Sequence, residues 1–313
     1  MAFKRVPQVF SASIKEVTIG TGEKAVTLGG NNTLPLYTFD APAKHKVAVG
    51  VEILDTGVDA TLPGFAEFYA GCETLGQTAR RASEMPGTDF VVLTLIGADP
   101  NGLNRSVEEC TELAKEVADA IDCPLAIQGC KNVEKDTKLF ESISEALRGR
   151  NVLFVSAREE DYKVLSAAVV MAGGNKLSAE SAVDINLAKQ LNVLISQMGV
   201  QPTSTVMNVG SAAAGYGYEY VASTLDRVKA AALGQNDAQL QMPIYTPVSS
   251  ETWAVKESSA SEEEMPEWGD REDRAVKMEI ATAAACIAGG SDAVVLRHPR
   301  SAATISKLIA ALM

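Results

Sequence analysis

The chain is poor in histidine, the side chain that most often carries acid–base chemistry at neutral pH. Only two of its 313 residues are histidines, His45 and His298. No HExxH occurs, and no carboxylate–His–carboxylate cluster, so no recognisable catalytic set and no metal-ligand motif is present. The five cysteines (Cys72, Cys110, Cys123, Cys130 and Cys286) are odd in number, widely spaced and never form CxxC. That pattern supports neither a disulfide framework nor a self-contained iron–sulfur or zinc site, and free thiols are expected. No uninterrupted apolar run reaches the roughly 18 residues of a membrane span. The opening MAFKRVPQVF has charge but no long apolar core and no small-residue cleavage site, so a cytoplasmic location is expected. Basic residues are outnumbered 28 to 40, for a net charge of −12, and no Lys/Arg stripe stands out. Nothing would neutralise nucleic-acid phosphates, which excludes a general nucleic-acid binder.

What is present is a rhythm. Two β-branched runs, EVTIG at 16–20 and KAVTLGG at 24–30, flank a Gly-containing turn and read as a β-hairpin. A proline-marked connection, LPLYTFDAP, leads into eight short apolar strands, at 47–53, 90–96, 124–127, 152–155, 176–179, 204–207, 242–245 and 293–296. Most are followed by a helical pattern: 65–83, 107–121, 135–147, 159–171, 182–197, 218–232, 274–288 and 302–312. Ser106 with Glu109 three positions on forms a capping box that starts the second of these helices. Continuous Val/Ile/Leu strands alternating with helices imply a parallel sheet with crossover connections. The economical fold is an eightfold β/α (TIM) barrel over 44–313, with 1–43 as the N-terminal hairpin and connection; a doubly wound open sheet is the competitor.

In a barrel, function sits on the loops after the strands. Those loops carry Asp55, Asp99–Asn101, Gly129–Cys130, Ser156, Glu180–Ser181, Asn208–Ser211, the 247–273 insert and Arg297–His298. His45 precedes the first strand and belongs to the opposite face. Lys176 suggests a Schiff base, but it begins its strand and points to the wrong end. Asp55 and Asp99 could orient a ligand or serve as ordinary turn residues. The stretch TVMNVGSAAAGYGYEY at 205–220 has the first spacing of a phosphate-binding Walker A loop, yet Tyr216-Gly217 stands where Lys-Ser/Thr must be. Its small residues permit either close approach of a large planar ligand or tight packing. The acidic 256–273 insert, with Trp253 and Trp268 beside and within it, reads as an interface or as a solvated loop with Trp packed back on the barrel.

Residues 15–42, KEVTIGTGEKAVTLGGNNTLPLYTFDAP, followed by VGVEILD at 49–55, closely resemble the small subunit of the corrinoid iron–sulfur protein. The archaeal counterpart is the delta subunit of the acetyl-CoA decarbonylase/synthase complex. MNVGSAAAGYGYEY and SDAVVLRHP extend the resemblance over nearly the whole chain. It implies a barrel subunit, not catalytic alone, paired with a large subunit that carries a 4Fe–4S cluster and the main corrinoid domain. The pair holds a cobamide at its interface. It receives a methyl group from methyltetrahydrofolate through a methyltransferase and passes it to acetyl-CoA synthase/CO dehydrogenase, with a reductive activator as a further partner. Barrel position alone selects the expected cobamide contacts: Asn208, Gly210, Ser211 and Ala212 first, then Gly129, Cys130, Arg297 and His298. The alternative is a stand-alone pterin-dependent methyltransferase on the same barrel, with Asp55 and Asn208 on the pterin.

Overall fold

The computed structural model describes residues 6–313. Residues 1–5, which open the expected 1–43 unit and the N-terminal stretch read above, lie outside the described residues. Two strands, β1 (Val17–Ile19) and β2 (Val26–Leu28), form the antiparallel hairpin with Val17 opposite Leu28. The parallel sheet runs through β3 (Ala48–Leu54), β4 (Phe90–Thr94), β5 (Leu125–Gln128), β6 (Leu153–Ala157), β7 (Lys176–Glu180) and β8 (Thr205–Asn208). It returns through β9 (Tyr245–Thr246) and β10 (Ala293–Leu296), which pairs with β3. Met207 bridges Ile244 in parallel, and its N–H donates to Pro243 O at 2.8 Å. That contact joins β8 to the β9 side and closes the barrel.

Around the sheet lie α1 (Pro63–Phe68), α2 (Leu75–Ser83), α3 (Val107–Ala120), α4 (Val133–Ala146), α5 (Tyr162–Leu165), α6 (Ile185–Gln197) and α7 (Tyr218–Lys229). The chain closes with α8 (Val248–Thr252), α9 (Lys256–Ser259), α10 (Arg271–Gly289) and α11 (Pro299–Leu312). The Ser106 capping box is present, with Glu109 N–H donating to Ser106 Oγ at 3.1 Å and Ser106 N–H to Glu109 Oε2 at 2.8 Å.

Three local expectations need correction. The single helix over 65–83 is two, because Gly71 turns with φ +80° and Thr74 starts α2 with its own capping box to Gln77. The helix over 159–171 is one α-turn continued by a π-helical stretch, Ser166–Ala172. The strand expected at 242–245 shrinks to Tyr245–Thr246, with Met242–Pro243 before it held by burial rather than by a ladder.

The hairpin closes the N-terminal end of the barrel. Val17, Ile19 and Leu28 are fully buried and join Ala48, Phe90, Leu153, Val206, Tyr245 and Ala293 from the strand beginnings in one apolar cluster. Asn151, just before β6, donates from Nδ2 to the carbonyls of Thr18 (2.9 Å) and Gly20 (2.8 Å), and accepts Gly20 N–H. Glycine is required at position 50, where a Cβ would stand 2.5 Å from the Phe90 ring that fills this layer. The larger apolar cluster lies outside the sheet, between strands and helices. With one end plugged, the open end for a partner or ligand is the C-terminal rim.

Candidate functional site at the C-terminal rim

Two histidine and lysine placements follow from this geometry. His45 Nε2 lies 2.5 Å from Glu16 Oε1 at the plugged end, and Lys176 Nζ donates to Ser204 Oγ at 3.2 Å there as well. Neither reaches the rim.

The rim is divided by α8. Val248, Ser249 and Thr252 on this short helix are completely buried, so the insert expected as a long loop instead fills the barrel mouth. On one side a cleft of about 200 Å³ opens over the ends of β5–β8. Gly129, Asn208, Gly210 and Ser211 line it, together with Gln128, Ser156, Arg158 and Glu180. Asn208 is buried; its Nδ2 donates to Ser156 Oγ at 3.0 Å and its Oδ1 accepts Gly210 N–H at 3.0 Å. Gly210 needs its glycine, since φ is +86° and a Cβ would meet Val183 Cγ2 at 3.2 Å. Ala212 lies beside it, half-buried against the β8–α7 apolar cluster rather than in the cleft lining.

Gly129 and Cys130 are set by Asp136 on α4. A Cβ on Gly129 would fall 2.3 Å from the Asp136 carboxyl, which accepts Cys130 N–H at 2.7 Å and its thiol at 3.2 Å. Burial raises Asp136 above the usual carboxylate range and pushes the Cys130 thiol up to about 12. That thiol stays protonated at neutral pH and is a poor nucleophile or metal ligand. Gln128 is 7% exposed; its Nε2 donates to Ser250 Oγ on α8 at 3.3 Å, while its Oε1 has no partner among the described residues.

Arg297 and His298 sit across α8 from this cleft. The Arg297 guanidinium donates from Nε (3.0 Å) and Nη2 (2.8 Å) to Glu52 Oε2 on β3. Burial would raise the Glu52 carboxyl, but Arg297 and the Thr94 hydroxyl outweigh it and hold Glu52 below its ordinary value. His298 is 1% exposed and has both ring nitrogens engaged: Nδ1 accepts Arg300 N–H at 3.1 Å, and Nε2 faces Glu272 Oε1 at 3.1 Å. Burial lowers its pKa, which fits a neutral ring donating from Nε2. Glu272 also accepts Gly64 N–H at the start of α1, and buried Glu279 accepts the Trp253 indole N–H (2.9 Å) and Arg297 N–H (2.7 Å). The eight expected contacts therefore split into two groups on opposite sides of α8.

Asp55 is fully engaged by Gly97 N–H (2.9 Å) and Arg105 (3.0 Å), and Asp99 caps its own turn through Asn101 N–H. Among the described residues no group of three His, Cys, Asp or Glu could hold a metal ion, and no helix is long and apolar enough to cross a membrane.

Residues 16–298 match the family described as CO dehydrogenase/acetyl-CoA synthase delta subunit. The chain belongs to that family. Among its relatives, the acetyl-CoA decarbonylase/synthase complex subunit delta of Archaeoglobus fulgidus is 29% identical, over 98% of this chain and 70% of the relative. The subunit delta of Methanothermobacter thermautotrophicus is 29% identical over 93% of this chain and 74% of its own. Two solved dihydropteroate synthases share the fold at 12% identity. The Vibrio fischeri ES114 enzyme has a TM-score of 0.57 over 94% of this chain and 97% of its own; the Xanthomonas albilineans enzyme with 4-aminobenzoic acid has 0.56 over 95% and 98%. Three buried rim residues stand inside strands or helices rather than on the loops expected to carry function: Glu52, Gln128 and Glu279. One had a visible signal, because Glu52 is a lone carboxylate inside the apolar run VGVEIL and a buried charge there needs a partner.

Proposed function

We propose that this delta-family chain is the barrel subunit of a two-chain corrinoid iron–sulfur methyl carrier in the reductive acetyl-CoA pathway. Its partner in this reading is a larger subunit that holds a 4Fe–4S cluster and most of the cobamide contacts. The observation that carries the reading is the cleft over β5–β8. Its lining combines small residues, the neutral polar Ser156, Asn208 and Ser211, and charged groups of both signs, it holds the unpartnered Gln128 Oε1, and its volume of about 200 Å³ is far below that of a corrin macrocycle. A corrin would rest across the rim and send only its peripheral carboxamides inward. The carboxamide N–H groups would meet Gln128 Oε1, and their carbonyls the donors on Arg158 and Lys131.

In that arrangement Asn208, braced by Ser156, fixes the β8 loop, and Gly210, Ser211 and Ala212 keep it low enough for close approach. Gly129 and Cys130 hold the neighbouring edge through Asp136, and α8 excludes water from the barrel beneath. Arg297 and His298 brace the opposite rim through Glu52 and Glu272. A bound cobamide supplies the methyl-transfer chemistry; this chain supplies position and dryness. The methyl donor system is a methyltetrahydrofolate methyltransferase, the acceptor is acetyl-CoA synthase/CO dehydrogenase, a reductive activator restores the carrier, and the setting is cytoplasmic.

The test is co-expression with a candidate large subunit and a visible absorption spectrum of the purified pair. Gln128→Leu is expected to leave the pair assembled while cobamide retention falls several-fold. Unchanged retention and methyl transfer would remove the cleft from the reading. Tight binding of methyltetrahydrofolate to the isolated chain, by calorimetry, would favour the pterin-dependent enzyme, although Asp55 already has its carboxylate occupied.

A further inference from the structure

A second cavity, of about 220 Å³, lies on the other side of α8 and shares no lining residue with the cleft over β5–β8. Its walls are Ile53, Val58, Leu62, Phe65, Tyr69 and Trp253, and Arg297 stands at one end. The aromatic wall is held in place. Trp253 donates its indole N–H to Glu279, its ring lies 5.4 Å from that of Phe65, and the Arg297 guanidinium sits 5.7 Å from its centroid. The charges lining the cavity pair off, Glu52 with Arg297 and Asp59 with Arg271 at 3.2 Å.

Two donors are left over. Tyr69 is 8% exposed, lines the cavity, and its hydroxyl has no hydrogen-bond partner among the described residues. Burial raises its pKa, so it remains a neutral donor. Arg297 directs Nε and Nη2 to Glu52, and its Nη1 has no hydrogen-bond partner among the described residues. The Tyr69 hydroxyl is not sealed from solvent, so without a protein acceptor it is available to donate to a molecule in the cavity.

We propose that this cavity binds a small, uncharged, flat molecule that presents a carbonyl oxygen from an aromatic or apolar body. The oxygen accepts from Tyr69 and Arg297, and the body packs between Phe65 and Trp253. A carboxylate would bring another anion beside Glu52 and Asp59, whose charges are already matched. An ammonium ligand would find both carboxylates taken. The site is independent of the cobamide reading, and it goes beyond that reading.

The test uses the full chain with Trp268→Phe, so that Trp253 is the reporting indole. Benzamide, benzoate, benzylammonium and toluene are titrated while Trp253 fluorescence and its indole N–H resonance are followed. Benzamide is expected to give a saturable change with a Kd in the millimolar range, which is what a fragment of its size delivers. Benzoate and benzylammonium should bind at least about tenfold more weakly, consistent with the cost of an unmatched charge. Tyr69→Phe should weaken benzamide about fivefold, the effect of one lost hydrogen bond, and leave toluene unchanged. Val58→Phe, which narrows the cavity, should abolish the benzamide response while the melting curve persists. The proposal is overturned if benzamide gives no saturable change, if it binds the Val58→Phe chain equally well, if Tyr69→Phe leaves its affinity unaltered, or if benzoate binds more tightly. None of these outcomes bears on whether the heterodimer retains a cobamide.

Discussion

The two ends of this barrel are built on different physics. At the N-terminal end the hairpin presses Val17, Ile19 and Leu28 into a mainly apolar layer with Phe90 and Tyr245, and the Asn151 amide pins its turn. At the C-terminal end the interior is polar: Glu52, Gln128, Ser156, Asn208, Glu272, Glu279 and His298 are all buried. Apolar contact is non-directional and tolerates small adjustments, so it makes a good plug. Buried carboxylates and amides must be paired one by one, so each fixes a loop in a single place. A rim held this way is preorganised, which is what a surface for a large rigid ligand or a partner requires.

The comparison is most directly broken at the plug. Phe90→Ala should cost about 4 kcal/mol in urea unfolding, the usual figure for an aromatic cavity in a tight core. A cost below half of that would mean that the hairpin collapses into the space and that the plug is plastic. At the rim, Glu279→Ala is expected to cost about 3 kcal/mol, because the Trp253 indole and two backbone N–H groups lose their acceptor. Glu279→Gln should recover part of it, which a packing-only role would not predict. Gly129→Ala should cost about 2 kcal/mol, since the new methyl displaces the Asp136 carboxyl from Cys130 N–H.

The pH response sharpens the contrast. Asp136 and Glu279 have folded pKa values raised by burial, so the folded state binds more protons than the unfolded state over their shared window. Their contribution is complete below the ordinary carboxylate values, 3.8 and 4.5, and is lost as pH rises through the raised folded values. Asp136→Asn should therefore flatten the fall in stability between mildly acidic and neutral pH, measured by urea midpoints across the series. The smallest effect belongs to the plugged end. His45→Ala removes a partly exposed contact to Glu16 and should change stability by no more than about 0.5 kcal/mol.

The barrel was legible because buried parallel strands carry no alternation, so several of the eight appear as plain apolar runs such as FVVL or AVVL. The start of α3 was legible because Ser106 completes its cap with Glu109. The break between α1 and α2 was not, since Gly71 and Thr74 interrupt a pattern whose apolar spacing continues across them. The short β9 was misjudged for the opposite reason: Met242–Ile244 is as apolar as a strand, yet it meets β8 only through an isolated bridge at Met207 and forms no ladder. Strand ends placed the candidate residues on rim loops, but they could not say which side of α8 each loop faces.

The amino-acid sequence by itself determined the number of β/α units, the N-terminal hairpin, the scarcity of histidine and the run of small residues after β8. These depend on neighbours along the chain, where periodicity and turn chemistry act. Only the tertiary structure decided that Glu52 would meet Arg297, 245 positions away, because closure of the barrel places β3 beside β10. It also decided that α8 would enter the mouth between two cavities, since that depends on its buried apolar and polar side chains meeting strand ends far away in sequence, as Ser250 meets Gln128.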